Sequence, residues 1–128
     1  MPGYVVDRAA ELLNTDAKPL NGAKVLLLGV TYKKDIADQR ESPTRPLARK
    51  LLARGAQVSY HDPYVPGWQV DGQSIPRVDD LAAALAAADL VIVLQAHSCY
   101  DPAQLTRTAR LVLDTRGAIP AAPHVEAL

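Results

Sequence analysis

The stretch Lys24-Val25-Leu26-Leu27-Leu28-Gly29-Val30-Thr31-Tyr32-Lys33-Lys34-Asp35 decides the fold. After Lys24 the run stays apolar to Val30, at strand length, which is the pattern of a parallel strand buried on both faces. It then gives way to a long polar stretch, Thr31 to Ser42. A dinucleotide-binding turn would place Gly-x-Gly-x-x-Gly after this strand. Gly29 is present and the other two glycines are missing. A tight turn that brings a pyrophosphate against backbone is therefore not expected. In its place stands a longer loop carrying Lys33, Lys34 and Arg40. Cationic side chains hold phosphate oxygens through charge-assisted hydrogen bonds, arginine with two at once. Two readings stay open at this point. The charges are solvated and balanced by Asp35, Asp38 and Glu41, as loop charges commonly are. Or they form a phosphate site at the carboxyl end of the first strand, where doubly wound sheets bind ligands.

Outward from this strand, helices and strands alternate. Tyr4 to Asn14 has an apolar face of Val5, Val6, Ala9, Leu12 and Leu13, spaced as a helix requires. Asn14 to Gly22 reads as a linker. Ser42-Pro43 reads as an N-cap and first helical position, opening a helix to Arg54 that Gly55 stops. Gln57 to Tyr60 is a second strand, closed by Asp62-Pro63, and Val65 to Asp79 is mostly irregular. Asp80 caps a helix from Leu81 to Ala88, and Leu90 to Leu94 is another apolar strand. Asp101-Pro102 starts a short helix, Leu111 to Leu113 is the last strand, and the residues around Pro120 and Pro123 read as a tail. The order predicts an α/β, Rossmann-like three-layer sandwich around a parallel sheet, preceded by one N-terminal helix. Residues 1–16 would be the end of a linking helix and 17–120 the α/β core of a single domain.

Bulk properties remove several function classes. The 128 residues suffice for one domain and not for two. Lys+Arg and Asp+Glu are 14 each, so no net charge draws the chain to nucleic acid or to a membrane surface. No apolar run approaches the roughly 20 residues of a membrane span, and the N-terminus lacks the basic head and apolar run of a secretory signal. With Cys99 as the single cysteine, no internal disulfide forms, and the default is a cytoplasmic protein. His97-Ser98-Cys99 lacks zinc-ligand spacing, and a loop histidine there is expected to be structural or exposed. Asp62 stands where dinucleotide folds put a ribose acceptor, but Asp-Pro favours a turn built on local backbone hydrogen bonds.

Gly29-Val30-Thr31-Tyr32-Lys33-Lys34-Asp35-Ile36-Ala37-Asp38-Gln39-Arg40-Glu41-Ser42-Pro43 resembles the C-terminal signature of the UDP-glucose/GDP-mannose dehydrogenase family. Similar blocks follow in order: Gly55 to Pro66, Ala88-Asp89-Leu90-Val91, and Leu111-Val112-Leu113-Asp114-Thr115-Arg116; the opening Met1 to Val6 also fits. The resemblance implies a UDP-sugar-binding domain of an enzyme that oxidises a sugar C6 hydroxyl to a carboxylate in two NAD-dependent steps. It implies partners within the parent enzyme, an NAD-binding domain and a central dimerisation domain. Tyr32, Lys33 and Arg116 match positions that bind the nucleotide sugar, and Arg40 matches one that reaches the NAD. Nothing here matches the family's catalytic cysteine motif, so Cys99 is given no such role and the chain alone is expected to be inactive. An excised domain or a truncated reading frame fits these features, with the first favoured. The rival readings are a free-standing interaction or regulatory module of the same fold and an unrelated Rossmann-like nucleotide binder; the Asp38-x-Arg40-Glu41-Ser42-Pro43 block argues against the latter.

Overall fold

The computed structural model describes residues 2–31, 34 and 44–128. It opens with helix α1 (Pro2–Thr15) and strand β1 (Lys24–Leu28), followed by α2 (Thr44–Ala53) and β2 (Gln57–His61). A short hairpin, β3 (Gln69–Val70) and β4 (Gln73–Ser74), leads to α3 (Leu81–Ala87) and β5 (Leu90–Val93). Helix α4 (Pro102–Thr108), β6 (Val112–Asp114) and β7 (Val125–Ala127) complete the chain. The main sheet runs β2-β1-β5-β6-β7, with every neighbouring pair parallel. This is the α/β, Rossmann-like sandwich that the alternation of elements predicts.

Side-chain alternation along β1 builds the three layers. Val25 and Leu27 face a core shared with Val6, Ala9 and Leu13 of α1 and Leu47 and Leu51 of α2. Leu26 and Leu28 face the other core, with Leu85 of α3 and Leu105 of α4. Both short helices start on aspartate caps. Asp80 accepts from the Ala83 N–H at 3.1 Å, and Asp101 accepts from the Ala103 N–H at 3.0 Å ahead of Pro102. The carboxylate of Asp89 ties the amino ends of the strands together, accepting from the Lys24 N–H at 2.9 Å and from Lys18 Nζ at 2.7 Å. No helix among the described residues is long and apolar enough to cross a membrane.

Two segments depart from the sequence expectation. The region predicted as a tail contains β7, which pairs with β6 in parallel register, Leu113 opposite Glu126. Arg8 on α1 grips Glu126 through Nε at 2.7 Å and Nη2 at 2.5 Å, and also pairs with Glu11. The region predicted as irregular contains the β3–β4 hairpin, whose turn Asp71-Gly72 has φ of 51° and 77°. Two successive positive φ values make the tight turn that matches strand twist. Arg49 of α2 holds that turn by a forked contact to the Asp71 carboxylate at 2.5 and 2.9 Å.

Candidate functional site at the carboxyl ends of the strands

The order of strands reverses between β1 and β5, so a ligand crevice belongs outside their carboxyl ends. Gly29 follows β1 with φ of 78°. A Cβ on it would lie 2.6 Å from the Gln95 Cβ and 2.7 Å from the Gln95 carbonyl oxygen. The glycine is thus needed for the close approach of the chain leaving β5. In a dinucleotide site the second glycine of the motif lets backbone approach the pyrophosphate, and here that glycine and the third are missing. The turn therefore does not fit the pyrophosphate of NAD.

Beside this turn lies a buried polar cluster. Asp62, just past β2, accepts from the Val30 N–H with Oδ2 and from the Tyr64 N–H with Oδ1, both at 2.8 Å. The second bond closes the local turn that Asp62-Pro63 predicts, and no ribose role is needed to explain the residue. His97 Nε2 lies 2.9 Å from Asp62 Oδ2 and 3.3 Å from Thr31 Oγ1. Neither the His97 nor the Asp62 side chain has any exposed surface. His97 is therefore structural, and its partner Asp62 stands 35 residues away in sequence, beyond the reach of a local pattern. Tyr64 meets the His97 ring edge-on at 5.0 Å, and Tyr100 lies against it at 5.9 Å. Tyr100 donates to the His61 carbonyl at 2.7 Å, and its hydroxyl is 3.0 Å from His61 Nδ1. Burial, then the nearby Arg77 cation, pushes the His61 imidazole below its usual range. Burial raises the Tyr100 phenol well above its usual range.

A second aspartate shapes the end of β6. Asp114 is fully buried and accepts from the Arg116 N–H at 2.9 Å and the Ile119 N–H at 2.8 Å. Thr115 donates its hydroxyl to the Val93 carbonyl at 2.6 Å. Arg116 points its Nε at the Leu94 carbonyl, 2.8 Å away, while the side chain remains exposed. Nε is committed to that carbonyl, which leaves the two terminal nitrogens of an exposed guanidinium, a group able to bind two oxygens of one anion. Between Arg116's loop and the His97 segment lies a cavity of about 180 Å³, lined by Lys34, Ala96, His97, Tyr100, Ala118 and Ile119 among others. Two larger cavities lie away from this edge, one of about 250 Å³ near Lys24 and Ser59 and one of about 260 Å³ between α1 and α2.

Of the residues singled out in the sequence, Arg116 stands at this edge. Tyr32, Lys33, Arg40 and the Ser42 cap lie outside the described residues. Lys34, which the sequence leaves as a solvated charge, is exposed and lines the cavity. Cys99 is exposed. Among the described residues no three His, Cys, Asp or Glu side chains gather as a metal site would require.

Known proteins resemble this chain in sequence and fold. The model of the UDP-glucose/GDP-mannose dehydrogenase family, UDP binding domain, matches residues 26–121. A UDP-N-acetyl-D-mannosamine dehydrogenase of Methanocaldococcus jannaschii is 29% identical over 124 residues, covering 91% of this chain and 26% of that protein. An NDP-N-acetyl-D-galactosaminuronic acid dehydrogenase of Ralstonia solanacearum is 30% identical over 120 residues, covering 91% of this chain and 27% of that protein. The crystal structure of the NDP-N-acetyl-D-galactosaminuronic acid dehydrogenase from Methanosarcina mazei Go1 superposes with a TM-score of 0.80 at 25% identity, over 99% of this chain and 28% of that one. The chain thus spans about a quarter of the length of these relatives. With the family's domain matched from within β1 to beyond the Arg116 loop, the chain belongs to the UDP-glucose/GDP-mannose dehydrogenase family as its C-terminal, UDP binding domain.

Proposed function

We propose that this chain forms the nucleotide-sugar half of the cleft in a dehydrogenase that oxidises the C6 hydroxyl of a UDP-sugar to a carboxylate. The observation that carries this reading is Arg116, anchored through Nε on the Leu94 carbonyl just past β5 with its side chain exposed. A diphosphate entering the crevice needs cationic partners to offset its lost hydration, and Arg116 is prepositioned to be one. Lys33 is the second cation and Tyr32 packs beside it on base or sugar. Arg40 reaches the NAD, which other domains of the parent enzyme bind, since the Gly29 turn does not fit it. The parent supplies the hydride-transfer groups, so the isolated chain binds nucleotide and does not turn over substrate. Residues 1–16 are the end of a helix linking it to the central dimerisation domain, and residues 17–120 hold the binding core. Similarity to a UDP-N-acetyl-D-mannosamine dehydrogenase and an NDP-N-acetyl-D-galactosaminuronic acid dehydrogenase supports a UDP-N-acetylhexosamine as substrate.

Isothermal titration of the 128-residue chain with UDP tests the reading. Binding is expected, and Arg116→Lys should weaken it roughly tenfold, because an ammonium supplies neither the Nε anchor nor the fork. Lys33→Ala should weaken it similarly. Unaltered UDP affinity in both variants would sink the assignment.

A further inference from the structure

Three strand ends converge on one buried carboxylate. Asp62 from the end of β2 binds the Val30 N–H at the end of β1 and faces His97 Nε2 from the segment after β5. The sheet does not need this arrangement for pairing, because the ladder is already carried one residue past β1 by the Gly29 N–H to the His61 carbonyl. Burying a carboxylate and an imidazole together is costly unless each is satisfied, and a packed apolar pair would serve a plain core better. What the pair adds is control of two residues beyond the ladder. Val30 is held at both its polar groups, its N–H by Asp62 and its carbonyl by the Thr44 hydroxyl at 3.1 Å. Thr31 is held through its hydroxyl, 3.3 Å from His97 Nε2. Because Thr44 is the first residue of α2, the chain leaves for the β1–α2 connection and returns from it at one fixed point. His97 meets Tyr64 edge-on and lies against Tyr100, contacts that oppose rotation of its ring.

We infer that the Asp62–His97 pair consists of positioning residues for nucleotide binding, fixing Val30 and Thr31, which precede Lys33 in the sequence, and through Val30 the Thr44 start of α2, without either side chain touching the nucleotide. This rests on the proposed UDP-site reading. Acceptance by the Asp62 carboxylate places a proton on Nε2, which Thr31 Oγ1 shares. A side chain at position 97 must therefore donate a hydrogen bond, and filling the volume does not suffice.

The test uses the 128-residue chain, with UDP affinity by calorimetry and folding by circular dichroism. His97→Leu keeps the volume apolar and should weaken UDP binding roughly tenfold, as displaced contacts do. His97→Gln, whose amide can donate to Asp62, should restore affinity to within about threefold of the unaltered chain. A role in packing alone predicts the reverse ranking, since the amide is the poorer filler. Should His97→Leu not fold, Asp62→Asn, of the same size, replaces it: UDP binding should weaken and hydrogen exchange at the Val30 amide should quicken. A folded His97→Leu or Asp62→Asn chain with unaltered UDP affinity overturns the inference and leaves the UDP site standing. Absence of UDP binding by the unaltered chain overturns the site reading, and this inference with it.

Discussion

Replacing Gly29 by alanine is the sharpest test of how this edge is built. The added methyl meets two obstacles. Residue 29 has φ of 78°, a region that costs a residue bearing a Cβ about 1–2 kcal/mol. The new Cβ would also stand 2.6 Å from the Gln95 Cβ, 2.7 Å from its carbonyl oxygen and 2.9 Å from its nitrogen. Two of these three atoms are backbone, so no rotamer change relieves the contact, and overpacking of this kind costs a further ~1–3 kcal/mol. The sum is about 2–5 kcal/mol, and for a domain of this size a loss of 3 kcal/mol lowers Tm by roughly 10 °C. The assay is urea and thermal unfolding followed by circular dichroism. Because the Leu94 carbonyl precedes Gln95 and accepts from Arg116, the displacement should also weaken UDP binding in whatever fraction stays folded. A Gly29→Ala chain within about 1 kcal/mol of the unaltered one, with its UDP affinity intact, would refute the claim that Gln95 packs too closely on residue 29 to admit a side chain there.

Asp114→Ala should cost about 2–4 kcal/mol in urea unfolding, since it strips the N–H groups of Arg116 and Ile119 of their acceptor in a site too buried for water to replace it easily. It should also weaken UDP binding by releasing the Arg116 loop, a double effect that an unperturbed titration would contradict. His61 gives a pH dependence. Its imidazole is depressed in the folded chain, so below the unfolded pKa of about 6.5 the unfolded chain binds the extra proton. Stability should therefore be full above that pH and decline as pH falls toward the folded value. His61→Asn should flatten the part of the decline due to this group, measured as Tm at pH 8 against pH 5.5. Identical pH profiles for the two chains would count against the assignment.

Much of the fold is legible because burial is written locally. The apolar runs Val25–Leu28 and Leu90–Val93 sit between two helical layers, and both faces must be apolar. Asp80 and Asp101 declare helix starts through the chemistry of their own side chains. The misses have a common cause. Strand β7 is three residues long, preceded by Pro120 and Pro123, with none of its side chains fully buried. What holds it is a ladder to β6 and the pairing of Glu126 with Arg8, residues 118 apart, and no periodicity encodes such a contact. The hairpin did carry a local signal, Asp71-Gly72, but strands of two residues each show no alternation around it. At the site, the broken glycine pattern pointed away from a pyrophosphate turn, and the one glycine that remains, Gly29, is accounted for by the packing of Gln95 on it. His97 could be read only as a loop histidine, because its meaning depends on Asp62 and Thr31 arriving from other strands.

The contact between Arg8 and Glu126 has a kinetic side. Early in folding, joining these two residues would close a loop of most of the chain for a solvent-exposed ion pair, a step opposed by loop entropy. Once β1, β5 and β6 have assembled, the ends of that loop are already near one another and the pair forms with little further ordering. It therefore belongs to the downhill side of the folding barrier, and what it contributes appears as slower unfolding, with the folding rate unchanged. The bond that joins the first helix to the last strand acts as a latch fastened after the sheet is built, and its release is an early event when the sheet begins to open.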